Sequence, residues 1–144
     1  MNILRILTDK RKLGNLGEDA ACKYLKRHGY KITKRNYVAN GHEVDIIAEN
    51  KEYICFVEVK TRTLPKEGEI EQRPSSAVTP EKQMSVISAA RFYLGVFFDP
   101  RMARFDVAEV YVKDGRISEI NYIENAFNYN TASADARRQK RSKR

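Results

Sequence analysis

Two runs that read as strands carry charges where strands of a small domain seldom tolerate them. Gly41-His42-Glu43-Val44-Asp45-Ile46-Ile47-Ala48 and Phe56-Val57-Glu58-Val59-Lys60-Thr61-Arg62 are rich in β-branched and apolar residues. The polar stretch Glu49-Asn50-Lys51-Glu52 between them predicts a hairpin turn. Asp45, Glu58 and Lys60 interrupt the apolar runs. Charged side chains are rarely buried in full unless paired or bound to a cation, so each of the three needs a partner. Alternation along a strand puts Glu58 and Lys60 on one face, two residues apart. A hairpin can bring Asp45 beside Glu58, although the register is open at this level. Two carboxylates and an ammonium on one sheet surface make a hard-cation site with a cationic neighbour. Mg²⁺ takes a few carboxylate oxygens together with water and phosphate oxygens. Taken alone, Glu58-x-Lys60 is equally a cross-strand salt bridge on a solvated face, contributing under about 1 kcal/mol.

The whole chain bounds what can surround this hairpin. Its 144 residues suit one domain, long enough to bury a real core. The formal net charge is +8, but Arg137 to Arg144 holds six cations and no acid, which leaves the rest at only +2. No apolar run is long enough to span a membrane, and Met1 to Asp9 is too short and too soon charged for a signal peptide. Cys22 and Cys55 have neither a C-x-x-C nor a His-flanked spacing and are expected as free thiols in a reducing cytoplasm. The expected setting is therefore cytoplasmic, with no membrane partner.

Leu13 to His28 reads as the first helix, because Leu13, Leu16, Ala20, Ala21, Tyr24 and Leu25 recur at three- and four-residue steps and Gly29 supplies a stop. Gly14-x-x-Gly17 lies in or beside that stripe and suits close packing or helix entry. Glu18, at the stripe's edge, reads by itself as an acid favouring the helix dipole. Lys31 to Val38 is a strand, and Asn40-Gly41 is the turn pair that joins it to the next. His42, beside the turn, is expected at the surface. Thr63 to Ser76, with Pro65, Gly68 and Pro74 and no periodicity, reads as a loop leaving the Glu-x-Lys strand. Thr79-Pro80-Glu81 opens a second helix, closed by Gly95. Lys82 stands in its first turn, where a cation opposes the dipole and a nearby phosphate would account for it. Arg104 to Val112 and Ile117 to Ile123 are strands joined by Asp114-Gly115. The order helix, three strands, helix, two strands predicts an α/β fold: a mixed sheet of about five strands flanked by helices. Residues 1–128 form the expected domain, and 129–144 have the composition of a solvated, disordered basic tail.

An aspartate in one apolar strand followed by Glu-x-Lys in the next resembles the signature of the PD-(D/E)xK nuclease superfamily, with Asp45 as the first acid and Glu58-Val59-Lys60 as the rest. Val44 stands where that signature often has proline. The resemblance is closer to the YraN family of bacterial proteins. It is carried by Gly14-x-x-Gly17-Glu18, Glu43-Val44-Asp45-Ile46-Ile47-Ala48, Phe56-Val57-Glu58-Val59-Lys60-Thr61-Arg62, Lys82, Ala90 and Arg104-Phe105-Asp106, in that order. His42 stands between the glycine and Glu-Val-Asp, where the family often has Gly-Glu-Ile-Asp.

The resemblance implies a restriction-endonuclease-like fold, similar to archaeal Holliday junction resolvases, in which a helix glutamate joins the strand acids. It thereby raises Glu18 to a site member. It further implies a metal-dependent endonuclease acting on DNA, branched repair or recombination intermediates included. Asp45 and Glu58, with Glu18, would hold Mg²⁺ or Mn²⁺. Lys60 would act on the attacking water, and Arg62 and Lys82 would contact phosphate. A homodimer is left open. The alternatives are a nucleic-acid-binding module that keeps the fold without cleaving, and, ranked last, an RNA-associated protein, since no interleaved aromatic stripe offers a base-stacking platform.

Overall fold

The interrupted hairpin lies in the middle of a five-stranded sheet of order β1-β2-β3-β4-β5. A computed structural model describes residues 2–64, 78–96 and 101–143. Their elements run α1 (Ile3–Arg27), β1 (Lys31–Ala39), β2 (His42–Glu49), β3 (Tyr53–Thr63), α2 (Pro80–Val96), β4 (Met102–Lys113), β5 (Arg116–Phe127) and α3 (Tyr129–Ser142). Neighbouring strands are antiparallel except β3 and β4, which are parallel and joined through α2. The fold is α/β, an open mixed sheet with helices on both faces, as the pattern predicts.

Turn chemistry sets the hairpins. Asn40 and Gly41 both adopt positive φ (52° and 76°) between the paired residues Ala39 and His42, the two-residue turn whose twist suits antiparallel strands. Asp114 and Gly115 do the same between Lys113 and Arg116. The β2–β3 turn is held by Asn50, whose Oδ1 accepts from the N–H groups of Glu52 (2.9 Å) and Tyr53 (2.8 Å).

Each face of the sheet has its own core. Ala20, Ala21, Cys22 and Leu25 of α1 pack on Ile46, Ala48, Cys55, Val57, Ala108 and Val110. On the opposite face Val86, Ile87, Ala89, Ala90 and Tyr93 of α2 cover Val44, Ile47, Ile54, Phe56 and Val107. Both cysteines are buried free thiols. Within the α1 face, Arg104 and Asp106 form a buried ion pair at 2.9 Å. Arg104 also donates to Tyr30 Oη at 2.7 Å. Asp106 accepts further bonds from Tyr122 Oη (2.6 Å) and the Asn125 N–H (2.9 Å). The Arg-Phe-Asp motif thus locks β4 to β5 and to the chain leaving α1.

Two helix boundaries differ from the sequence pattern. The first helix starts at Ile3 rather than Leu13, capped by Asn2, whose Oδ1 accepts from the Leu4 N–H at 3.0 Å. The second passes Gly95 and runs to Val96. The expected loop from Thr63 to Ser76 lies, from residue 65 onward, outside the described residues, and Thr63 is the last residue of β3.

The larger correction is the tail. Residues 129–142 form a helix, where composition predicts disorder. A capping box opens it: Asn128 Oδ1 accepts from the Thr131 N–H (3.0 Å) and Thr131 Oγ1 from the Asn128 N–H (3.1 Å). Ala132 is fully buried in the α2-face core, and the Arg91 guanidinium stacks 4.5 Å above the Tyr129 ring. One buried small residue and two local caps override a composition read as solvated.

Gly17 is where α1 meets the sheet most closely. A Cβ there would collide with Thr61 Oγ1 and stand 3.0 Å from Thr61 Cβ. Gly17→Ala should therefore lower stability by about 1–3 kcal/mol, the range for overpacking. Thr61→Ala in the same chain should restore part of the loss, with a coupling above about 0.5 kcal/mol in denaturant titrations. Additive effects would show that helix and strand can separate freely.

Candidate active site

The β2–β3 ladder stops short. It pairs Glu49 with Ile54, Ala48 with Cys55, Ile47 with Phe56 and Ile46 with Val57, and one step further along that register Asp45 faces Glu58. There the strands part. β2 stays paired to β1 as far as His42, and β3 to β4 as far as Thr63. The Val59 N–H is taken by the Asp45 carboxylate, Oδ2 at 2.8 Å. A side chain thereby replaces the backbone rung, and the sheet opens into a notch with an acid on each lip.

The parting has a local cause. Along β1, Arg35 reaches Glu18 and Asp19 of α1, whereas Tyr37, two residues on, meets Tyr93 of α2 edge-on at 5.2 Å. In a regular strand both would lie on one face. Their partners on β2, Ile46 and Val44, likewise belong to opposite cores. Between them Asn36 adopts φ 52°. The β1–β2 ribbon therefore changes face at the level of Asn36 and Asp45, which puts Asp45 within electrostatic reach of groups on both sides of the sheet.

On the α2 side stands Glu58, buried with only 4% of its surface exposed. Its pKa is pushed up to about 8, first by burial and then by the charge and hydrogen bond of Asp45, against the lowering effect of Lys82 and Lys60. Lys82 Nζ stands 3.9 Å from Glu58 Oε2, and that oxygen has no hydrogen-bond partner. On the α1 side stands Glu18, half-buried, its pKa raised first by burial, with the Asp45 charge adding to the rise and the Arg35 hydrogen bond opposing it. Arg35 holds Glu18 Oε2 at 3.3 Å. With its nitrogen turned toward the acids, the Asn36 amide donates to Glu18 Oε1 at 3.0 Å and to Glu43 Oε1 at 3.2 Å.

The structure thus brings Asp45, Glu58, Lys60 and Lys82 within reach of one another's charges, while Glu18, on the α1 side, is linked to Asp45 by charge. Arg62 follows Lys60 by two residues on β3 and is half-buried. Lys82, in a first turn where a cation is unfavourable, has Glu58 as a protein partner. His42, expected at the surface, is half-buried with Nδ1 2.8 Å from Ser85 Oγ, which ties the start of β2 to α2. Sequence reasoning missed Arg35 and Asn36, the groups that fix Glu18. The available signal was an asparagine inside a strand, where such residues are disfavoured.

The donor set suits a hard cation. Among the described residues no three His, Cys, Asp or Glu side chains converge as ligands. Two carboxylates suffice for Mg²⁺, which keeps several waters. Two acids in contact, one with a buried orphan oxygen, are the arrangement a cation relieves.

The raised Glu58 pKa sets a pH dependence. The folded state holds its proton up to about pH 8, whereas the unfolded chain releases it near the ordinary glutamate value of 4.5. Between those values the folded state binds more protons, so stability falls as pH rises and levels off above the folded pKa. The slope is at most about 1.4 kcal/mol per pH unit, the value for one proton. Denaturant titrations from pH 5 to 8 should show this fall, and Glu58→Gln should flatten it. An unchanged slope in the variant would mean that Glu58 is ionised throughout.

Residues 17–110 match the model of a family described as "Uncharacterised protein family UPF0102". The chain is 45% identical over 114 residues to a UPF0102 protein of Chlorobium phaeobacteroides strain DSM 266, covering 78% of this chain and 87% of that one. It is 38% identical over 122 residues to a UPF0102 protein of Caldanaerobacter subterraneus, covering 83% and 97%. A relative from Syntrophomonas wolfei is 43% identical over 119 residues, covering 81% and 98%. The matched span runs from the close-packed Gly17 through the notch acids to Val110 of β4, and the chain belongs to the UPF0102 family, also called YraN.

Proposed function

We propose that this chain is an endonuclease that hydrolyses phosphodiester bonds of DNA with Mg²⁺ or Mn²⁺ at the notch between β2 and β3. The observation that carries this reading is the pair Asp45–Glu58, two acids in contact at a break in the sheet, one buried with an oxygen that makes no hydrogen bond and has Lys82 at 3.9 Å, with Lys60 nearby. A structural ion pair has no use for that arrangement, since burying an unsatisfied carboxyl is unfavourable by about 1–3 kcal/mol.

Hydrolysis of a phosphodiester forms a bond from a water oxygen to phosphorus and breaks one ester P–O bond, and the leaving oxygen takes up a proton. Asp45 and Glu58 would hold the cation, with Glu18 at the rim to hold a water or a second ion. A divalent cation so held supplies Lewis-acid polarisation of the phosphate and lowers the pKa of a bound water. Lys60 orients the attacking water or takes part in moving its proton, and its charge opposes the negative charge that develops on phosphorus oxygens. Lys82 and Arg62 neutralise flanking phosphates and position the strand without reading its sequence. Asp45 has a second task. Its bond to the Val59 N–H fixes the start of the Val59-Lys60 segment, so the acid and the lysine keep a constant spacing.

Purified protein should nick linear, single-stranded, flapped or four-way DNA with Mg²⁺ or Mn²⁺ and not in EDTA. Asp45→Asn, Glu58→Gln and Lys60→Ala should each lower cleavage by about 10²-fold or more, the scale for losing a preorganised electrostatic group. In EDTA, Asp45→Asn and Glu58→Gln should bind DNA at least as well as wild type, and Lys60→Ala slightly less well. Mg²⁺ should raise the melting temperature more at pH 8.5 than at pH 5.5, because cation and proton compete for the same oxygens. A wild-type protein that binds DNA yet cleaves none of these substrates would replace this reading with a non-catalytic binding module of the same fold.

A further inference from the structure

The helix that replaces the expected tail ends beside the first turn of α2, which carries Lys82. α3 runs antiparallel to α2: Tyr129 at its start lies under Arg91, and just past its end Lys143 Nζ is 3.9 Å from Glu81 Oε1. Glu81 precedes Lys82, whose ammonium is 3.9 Å from the buried Glu58 carboxyl. Between residues 137 and 143 five of seven side chains are cationic, namely Arg137, Arg138, Lys140, Arg141 and Lys143, and all five are exposed. The ion pairs formed there, Arg138–Asp135 at 3.7 Å and Lys143–Glu81 at 3.9 Å, are solvent-exposed and exchange readily with other anions.

We propose that the cationic end of α3 is a docked binding surface for the sugar-phosphate backbone of a nucleic acid, held in fixed relation to Lys82 and the notch acids. Naming the partner rests on the phosphodiester reading above; the docked geometry does not. Cations in a last helical turn complement the dipole, but that effect is confined to one turn and leaves most of this run unexplained. A lipid surface is the poorer fit. The apolar contact of α3, Ala132, is already buried against the domain, and residues 137–143 offer Arg, Gln, Lys and Ser, with nothing to insert between acyl chains. A disordered tail would give non-specific attraction from any direction, whereas a docked helix gives a fixed line of charge leading to one site.

Binding to duplex, single-stranded and four-way DNA, followed in EDTA across a range of salt, tests this without requiring cleavage. One variant replaces all five cations by glutamine; a second stops after Ala136, which keeps Tyr129 and Ala132. Both should lose tenfold or more in affinity at about 0.1 M salt and show a shallower salt dependence, by about 0.9 in log–log slope for each duplex phosphate no longer neutralised. A third variant, Tyr129→Ser with Ala132→Gln, undocks α3 while keeping every charge. It should fall toward the affinity of the glutamine variant, with the melting transition of the remaining domain retained. Wild-type affinity in the undocked variant would overturn the proposal in favour of a free tail. Wild-type affinity in the glutamine variant would place the DNA elsewhere. Binding to phosphatidylserine vesicles with none to DNA would assign the surface to membranes. Absence of cleavage by wild type, with these binding losses intact, would sink the nuclease reading and leave this surface standing.

Discussion

One hydrogen bond determines how the sheet ends where it matters. The Asp45 carboxylate takes the Val59 N–H that a regular ladder would have given to a β2 carbonyl. A backbone donor at a parting of strands must find an acceptor or leave an unsatisfied group. By supplying that acceptor from a side chain, the chain keeps β2 and β3 together up to Ile46–Val57 and lets them diverge immediately after. The same bond confines one oxygen of Asp45 and leaves its negative charge against Glu58. Under the proposed function, the fold and the chemistry would therefore share a single carboxylate, and the face change at Asn36 is the backbone adjustment beside it.

The two buried acids among the described residues, Asp106 and Glu58, are treated very differently by their surroundings. Asp106 is fully enclosed, yet it has the Arg104 fork, the Tyr122 hydroxyl and the Asn125 N–H. Every lone pair that burial strips of water is compensated, and such a network rigidifies the α1 face. Glu58 is nearly as enclosed and is left with one oxygen unmatched and a like charge as neighbour. A chain that can satisfy one carboxylate so completely does not leave the other exposed to repulsion for want of donors. Strongly perturbed carboxyls with a specific charged neighbour concentrate at functional positions.

Much of this is legible in the residues. Asp45, Glu58 and Lys60 are conspicuous because alternation and burial leave no bland place for three charges in two apolar runs. Asn40-Gly41 and Asp114-Gly115 fix their turns because few other pairs accept two positive φ angles. Glu18 is different: helical periodicity alone makes it a dipole residue, and only the resemblance moves it to the rim. Its anchors, Arg35 and Asn36, depend on a face change that no period-two pattern encodes. α3 escapes the composition because its docking rests on Ala132 and on reciprocal caps at Asn128 and Thr131, signals too small to outweigh a run of six cations. The N-terminal extension of α1 escapes for a similar reason, since residues before Leu13 lack a regular apolar stripe. No described helix is long and apolar enough to cross a membrane.

The antiparallel docking of α3 along α2 also brings Lys143 back to the start of α2. Anything joined there, whether an affinity tag, a fluorescent reporter or a fused domain, would start beside the first turn of α2, the turn that carries Lys82. Attachment before Asn2 begins instead at the far, solvent-exposed end of a 25-residue helix whose Ile3 and Leu4 are open to water. Helix direction thus decides where a label should go: a handle attached at Lys143 would crowd the first turn of α2, whereas one attached at Asn2 would not.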